Sequence, residues 1–329
     1  MAIFNTGLGI DISDHHVRFA RMSHSGRPTS LLEIKLPHGL IIDDQVTKPK
    51  TLKKELEKRM QESGFVDTED KATILIPESR VFSTSFLIDK GLRGEEFTAQ
   101  AVGLAQKEIP IPFTECYVDV HKGRRVDSQS RVSVLAIEKS VVNGLVQAFG
   151  SMSFKAEMME SNNAALHRVY REYHKKEFTL PSEEDLVMIV DIGHRWSNIT
   201  LYGTMSASVF SRSIALRELS DTSRGVVKSL TKEMIQKICE RIKQILDLYA
   251  DQGLRTPLVI VAGVEGIQDG ICNYCSKIIK KCVIKRIGDV VDIPDLAAQD
   301  VHVYGAAIGA GLRASKIRSF SKEHKIIIS

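Results

Sequence analysis

Two aspartates far apart in the chain sit in matching surroundings. GIDISDHHVRFA (9–20) carries Asp11 and VDIGHRWSNITLY (190–202) carries Asp191. Each stretch reads as an apolar run, Asp-Ile, a small residue, a short polar turn and a second apolar strand. Two generic hairpins can share this pattern by chance. A duplicated lobe would instead set the hairpins face to face across a cleft. There the carboxylates of Asp11 and Asp191 would hold Mg²⁺ through water, and turn N–H groups would hold phosphate oxygens. Against that chemistry, the second turn reads His194-Arg195-Trp196, bulky where a phosphate wants close backbone.

Other chemistry-bearing groups are weaker. His15 and His16 are adjacent, so on a strand they point to opposite faces and are not expected to share an ion. Ser, His and Asp crowd together at 11–16, but local crowding is not triad geometry. Cys272-x-x-Cys275 with Cys282 lacks a fourth ligand at finger spacing. Five cysteines, an odd number, suit a reducing compartment, and ordinary core thiols are expected.

The elements that must carry the aspartates follow from periodicity. TKPKTLKKELEKRMQESG (47–64) predicts a helix with Leu52, Leu56 and Met60 on one face, and KATILIP (71–77) a short buried strand. A strand at 81–88, a helix at 94–109, strands at 116–123 and 131–139, a helix at 140–152 and a strand at 155–160 predict an inserted unit. A helix follows at 161–177, then FTLPSEED (178–185), a polar linker. After the second hairpin come a long helix over 229–253, a buried strand PLVIVAG (257–263), a helix through Ile278 and a strand at 282–288. The closing helix, VYGAAIGAGLRASKI (303–317), has Gly305 and Gly309 on one face, so a neighbour must pack very close there.

In that order the two hairpins, VIVAGVEG (259–266) and YGAAIGAG (304–311) resemble the phosphate 1, phosphate 2, adenosine and connect 2 motifs of the actin-like ATPase fold. MESNNAALHRVY (159–170) resembles connect 1. The unit inserted before it, with EIPIP after its helix, resembles the 1C subdomain of PilM and its cell-division relative FtsA. The resemblance implies an α/β fold of duplicated actin-like (ribonuclease H-like) lobes with an inserted α+β 1C subdomain. The expected division is lobe 1A over 1–77, 1C over 78–157, connect 1 and linker over 158–185, lobe 2A over 186–301 and a helix returning to 1A over 302–329.

The resemblance also implies site residues: Asp11, Ser13, Arg18, Asp191, Gly193, Ser197, Gly263 and Gly266 around ATP, Asp11 and Asp191 on Mg²⁺ through water, and Glu160 positioning a hydrolytic water. Departures from the family pattern weaken this set. Asp14 would repel a phosphate, and Arg18, on a strand, is expected to be solvated rather than to offset it. Arg217-Glu218 replace a glycine pair, and so few residues lie between them and the long helix that the 2B subdomain is expected to be reduced or missing. The favoured reading is a non-catalytic cytoplasmic scaffold of the type IV pilus inner-membrane platform. It would bind the N-terminal peptide of a PilN-like membrane protein in a 1A/1C groove and connect to motor or platform proteins. A homo-oligomer is allowed and nucleic acid is not an expected partner. The alternatives are an active Mg-ATPase using Asp11, Glu160 and Asp191, or an FtsA-like polymerising tether. For the latter, the tail RASKIRSFSKEHKIIIS is basic but too short and polar for a membrane helix.

Bulk numbers agree with this class. The chain of 329 residues is 43% apolar and 26% charged with a net charge of +4, ordinary for a globular protein of more than one lobe. No run reaches the roughly 18 apolar residues of a membrane span. The N-terminus has no basic leader, so a cytosolic protein is expected. The basic run 48–59 is interleaved with Glu and reads as a solvated helix face.

Overall fold

The computed structural model describes residues 6–65, 70–89, 91–126, 128–203, 208–216, 230–263, 270–316 and 327–328. The first lobe opens with β1 (Gly7–Ile12), β2 (His16–Met22) and β3 (Pro28–Lys35), an antiparallel meander. A two-stranded ribbon follows, β4 (Ile41–Ile42) and β5 (Gln45–Val46), then α1 (Pro49–Glu62) and β6 (Lys71–Ile76). Proline starts α1 at its first turn, and Leu52, Leu56 and Met60 bury its one apolar face as their spacing predicts.

The insertion is β7 (Val81–Asp89), α2 (Gly94–Ala105), β8 (Cys116–Val126) and β9 (Gln129–Glu138). Its strands form their own sheet in the order β7-β9-β8, over a separate core built on Phe97, Ala101, Val132 and Val134. The next two elements, α3 (Lys139–Phe149) and β10 (Lys155–Ser161), were expected to close this unit and do not. α3 buries Val141, Leu145 and Phe149 in the core of the first lobe, and β10 pairs parallel with β6. The inserted subdomain therefore ends near Glu138, short of 157. α4 (Asn162–Tyr173) follows, capped by Ser161, whose Oγ accepts the Ala164 N–H at 3.4 Å.

The second lobe repeats the first. β11 (Val187–Ile192), β12 (Trp196–Tyr202) and β13 (Ser208–Ala215) form the meander. α5 (Lys232–Ala250), β14 (Leu258–Ala262), α6 (Ile271–Ile278) and β15 (Val283–Arg286) complete it, and α7 (Ile287–Val290) leads to α8 (Ala298–Lys316) and β16 (Ile327–Ile328). The sheet orders are β16-β10-β6-β1-β2-β3 and β13-β12-β11-β14-β15. Apart from β16 the orders superimpose strand for strand: three antiparallel strands, then two added in parallel. Even the register agrees, Asp11 opposite Arg18 and Asp191 opposite Asn198. The lobes are duplicated, as the paired hairpins implied.

α8 lies across both lobes, starting at Ala298 rather than 302. With α4 it forms a core that joins Ala20 and Met22 of β2 to Val187, Ile189, Leu258 and Ile260 of the second sheet. Gly309 makes this crossing close: a Cβ there would stand 2.1 Å from the Ala165 carbonyl oxygen of α4. No helix among the described residues is long and apolar enough to cross a membrane. The region where the 2B subdomain was expected to be lost, 217–229, lies outside the described residues.

The cysteines depart from expectation. Cys239 of α5 and Cys275 of α6 form a disulfide with Cα atoms 5.4 Å apart, while Cys116, Cys272 and Cys282 are free thiols. α5 and α6 pack their apolar faces together, which brings the two sulfurs into one buried layer. Among the described residues no group of three or more His, Cys, Asp or Glu side chains is placed to hold a metal ion.

Candidate functional site: an interlobe cleft and a flanking groove

The two hairpins face each other across a small cavity of about 100 Å³, with Asp11, Asp191, Glu78, Asn162 and Asn198 around its floor. Asp11 is buried; the Arg18 guanidinium stands 3.5 Å from it and Asn162 Nδ2 donates to it at 3.2 Å. Burial raises the Asp11 carboxyl above its ordinary range in spite of Arg18. Burial, then the charges of Asp11 and Glu78, push Asp191 up to about 7. Gly263 is essential to this floor. It has φ +84°, and a Cβ there would meet Asp191 Oδ1 at 2.4 Å and the Ile192 backbone oxygen at 2.5 Å.

The turns above the floor are tied to one another. Asp14, 5% exposed, accepts the N–H groups of Asp43 and Asp44 at 3.1 and 2.8 Å. Those two residues form the β4–β5 turn with φ of 50° and 62°, a left-handed pair suited to a tight hairpin. Arg195, from the second lobe, closes the network: its Nε lies 2.7 Å from Asp14 Oδ2 and its Nη1 2.5 Å from Asp43 Oδ1. Beside it Asp44, bonded by Ser79 Oγ at 2.5 Å, is pushed up to about 6 by burial. A guanidinium supplied by the second lobe thus ties its own turn to the first hairpin and to the β4–β5 turn.

The predicted site residues divide. Asp11, Ser13, Arg18, Asp191, Gly193 and Gly263 line the cleft. Gly266 lies outside the described residues. Ser197 does not line it. It pairs with Ile192 and is fully buried, while its neighbours Trp196 and Asn198 face the cavity, as strand alternation requires. Its counterpart in the first hairpin is Val17, a core residue. Arg18 is not solvated: at 6% exposure it faces inward, paired with Glu33 at 2.7 Å and with Asp11, and Arg195 rather than Arg18 meets Asp14. Glu160 is also displaced from its expected role. It is fully buried, held by Arg168 at 2.5 and 2.6 Å and by Arg313 at 3.2 Å, and is not among the cleft-lining residues.

Glu78 is the cleft acid that sequence reasoning missed. Buried in the short turn after β6, it accepts from Ser211 Oγ at 2.7 Å and from the Asn163 N–H at 3.4 Å. The signal was Pro77-Glu78 at the end of a buried strand, the place where open α/β sheets present ligands.

The floor and the turns differ in fit. The crowded carboxylates of Asp11 and Asp191 fit a hydrated divalent cation, whose charge would relieve their mutual repulsion. The turns do not fit a triphosphate. The Ser13 and Gly193 N–H groups are spent within their own hairpins, on the His16 and Trp196 carbonyls at 2.9 Å each. The Asp14 carboxylate stands in the way, and the cavity is small beside the roughly 300–1,000 Å³ of typical ligand sites.

A larger groove of about 520 Å³ runs between the inserted subdomain and the body. One wall is the inserted sheet, with Ser83, Ser133, Leu135 and Lys122; the other is α4 and the end of α8, with Arg168 and Arg313. The inserted subdomain is fixed over the edge strand β13 by Ser85 and Ser133, whose hydroxyls donate to the Val209 and Ser208 carbonyls at 2.9 and 2.7 Å. His167 stacks on Tyr202 with ring centroids 4.4 Å apart, and burial lowers its pKa to about 3, so it stays neutral.

Residues 9–216 match the family described as type IV pilus assembly protein PilM. The chain belongs to this PilM family. Its fold is that of the solved "PilM-PilN type IV pilus biogenesis complex", at 14% identity and a TM-score of 0.74 over 94% of this chain and 99% of that one. Also similar is a Bacteroides thetaiotaomicron protein described as having an actin-like ATPase fold and unknown function (15% identity, 89% and 96% coverage, TM-score 0.49). The ethanolamine utilization protein EutJ of Carboxydothermus hydrogenoformans is similar at 13% identity (93% and 89% coverage, TM-score 0.48). No curated protein matches the chain. The matched residues take in both hairpins and the subdomain inserted before α4.

Proposed function

We propose that this PilM-family chain is a non-catalytic actin-like scaffold of a type IV pilus inner-membrane platform. It works in the cytoplasm and is held at the membrane through its partner, a PilN-like membrane protein. The partner's N-terminal cytoplasmic peptide lies in the groove between the inserted subdomain and the first lobe. The single observation that carries this reading is the contrast between the two concavities. The cleft is small and bridged by Arg195 on Asp14 and Asp43, whereas the groove has about five times its volume, 520 against 100 Å³. Solved PilM bound to PilN supports the choice of partner.

The experiment is a titration of the full chain with fluorescent N-terminal peptides of bitopic membrane proteins encoded beside it. One peptide is expected to bind with micromolar affinity. Leu135→Glu, which puts a charge on the half-buried wall of the groove, should weaken it by about tenfold or more. If no peptide binds, or Leu135→Glu leaves binding unchanged, the groove assignment fails.

A further inference from the structure

The outer edge of the first sheet is a second place where an extended chain is held. β10 would be the edge strand there, presenting unpaired N–H and C=O groups, were it not for β16. β16 lies parallel along it, Ile327 opposite Met158 and Ile328 opposite Met159. It also lies against β8 of the inserted subdomain. The groove reaches the same place. Arg313, which lines the groove, donates from Nε to the Met158 sulfur at 2.8 Å, and Ser161 at the end of β10 lines it too. Edge and groove therefore form one continuous track. The strand that fills the edge is Ile327–Ile328, and the sequence around it, HKIIIS (324–329), holds three consecutive β-branched residues.

We infer that the edge of β10 is a strand-acceptor site, and that in the free protein the chain's own Ile327–Ile328 strand fills it. An extended apolar peptide entering the groove must displace β16 to continue along β10. In such strand addition main-chain hydrogen bonds supply affinity and alternate side chains supply selectivity. A tethered strand acts at an effective concentration on the order of millimolar, so it holds the edge until a competitor's groove contacts outweigh it. The inference rests on the groove reading above only for the identity of that competitor.

The probe is a fluorescein-labelled peptide HKIIIS, followed by polarisation on the full chain and on a chain ending at Lys325. The shortened chain should bind it saturably, and the full chain about tenfold more weakly or worse. Amides of 156–160 should exchange faster in the shortened chain and regain protection with peptide. The full-length double variant Ile327→Asp, Ile328→Asp, which keeps the chain length, should behave as the shortened chain does. Equal binding to full and shortened chains, or no binding to either opened form while its melting curve shows it folded, would overturn the inference. Failure of the PilN-like reading looks different: native partner peptides bind neither chain, yet HKIIIS still binds the shortened one.

Discussion

Arg195 holds the two lobes through charge, and its removal leaves Asp14 buried among backbone donors with no cation opposite. Arg195→Ala should lower stability by about 2–3 kcal/mol, below the 3–5 of a fully buried pair because the guanidinium is 18% exposed. Urea denaturation reads this directly, and Asp14→Asn in the same background should recover part of the loss. Asp191 gives a pH signature. Its folded pKa of about 7 exceeds the ordinary 3.8, so the folded state binds the extra proton between those values and stability falls as pH rises through that window. Asp191→Asn should therefore stabilise the protein at pH 8, by on the order of 2–4 kcal/mol, and by only about a third as much near pH 5. Burial holds His15 and His16 below the ordinary imidazole range, which works with the opposite sign, so the variant must be compared with the parent at each pH. An advantage that is equal at both pH values would contradict the account. At this scale Asp11 and Asp191 were legible because a repeated motif marks them, and Gly263 because VIVAGVEG resembles the adenosine motif. Ser197 was misread because its face depends on strand parity, and Arg195's partners lie on a ribbon and a turn that no local spacing connects.

Close packing of elements leaves its own tests. Gly309→Ala places a methyl against the Ala165 carbonyl at the α4–α8 crossing, which should cost about 1–3 kcal/mol or more and lower the thermal midpoint. Little or no loss would mean that α8 can move off α4 freely. Thiol titration of the denatured, unreduced protein should count three reactive cysteines of the five, since Cys239 and Cys275 are joined. A count of five contradicts the bridge. Element types were legible from period and caps: α1 and α5 bury the residues their spacing selects. Ownership was not. α3 and β10 follow the insertion in sequence, yet α3's apolar stripe fits against α1 and β10 completes the sheet beside β6. The pairing of α5 with α6 by a disulfide was likewise hidden, because the contact forms only when the second lobe is built.

The whole molecule retains the duplicated architecture of its fold while the groups between the lobes answer one another. α8 packs on β1 and α4 on β11, and the charge network of Arg195, Asp14 and Asp43 joins the turns above them. The duplication was legible in sequence because hairpin order survives even where individual loops do not. The closure was not, since it depends on three segments meeting in space. If the cleft serves as architecture and the groove as the binding surface, nucleotide should find no site in the intact protein. Calorimetric titration of the full chain with Mg-ATP measures this most directly. The account predicts no saturable heat up to about millimolar nucleotide, a binding free energy weaker than about −4 kcal/mol. Saturable binding at micromolar concentration, abolished by Asp11→Asn or Asp191→Asn, would contradict it.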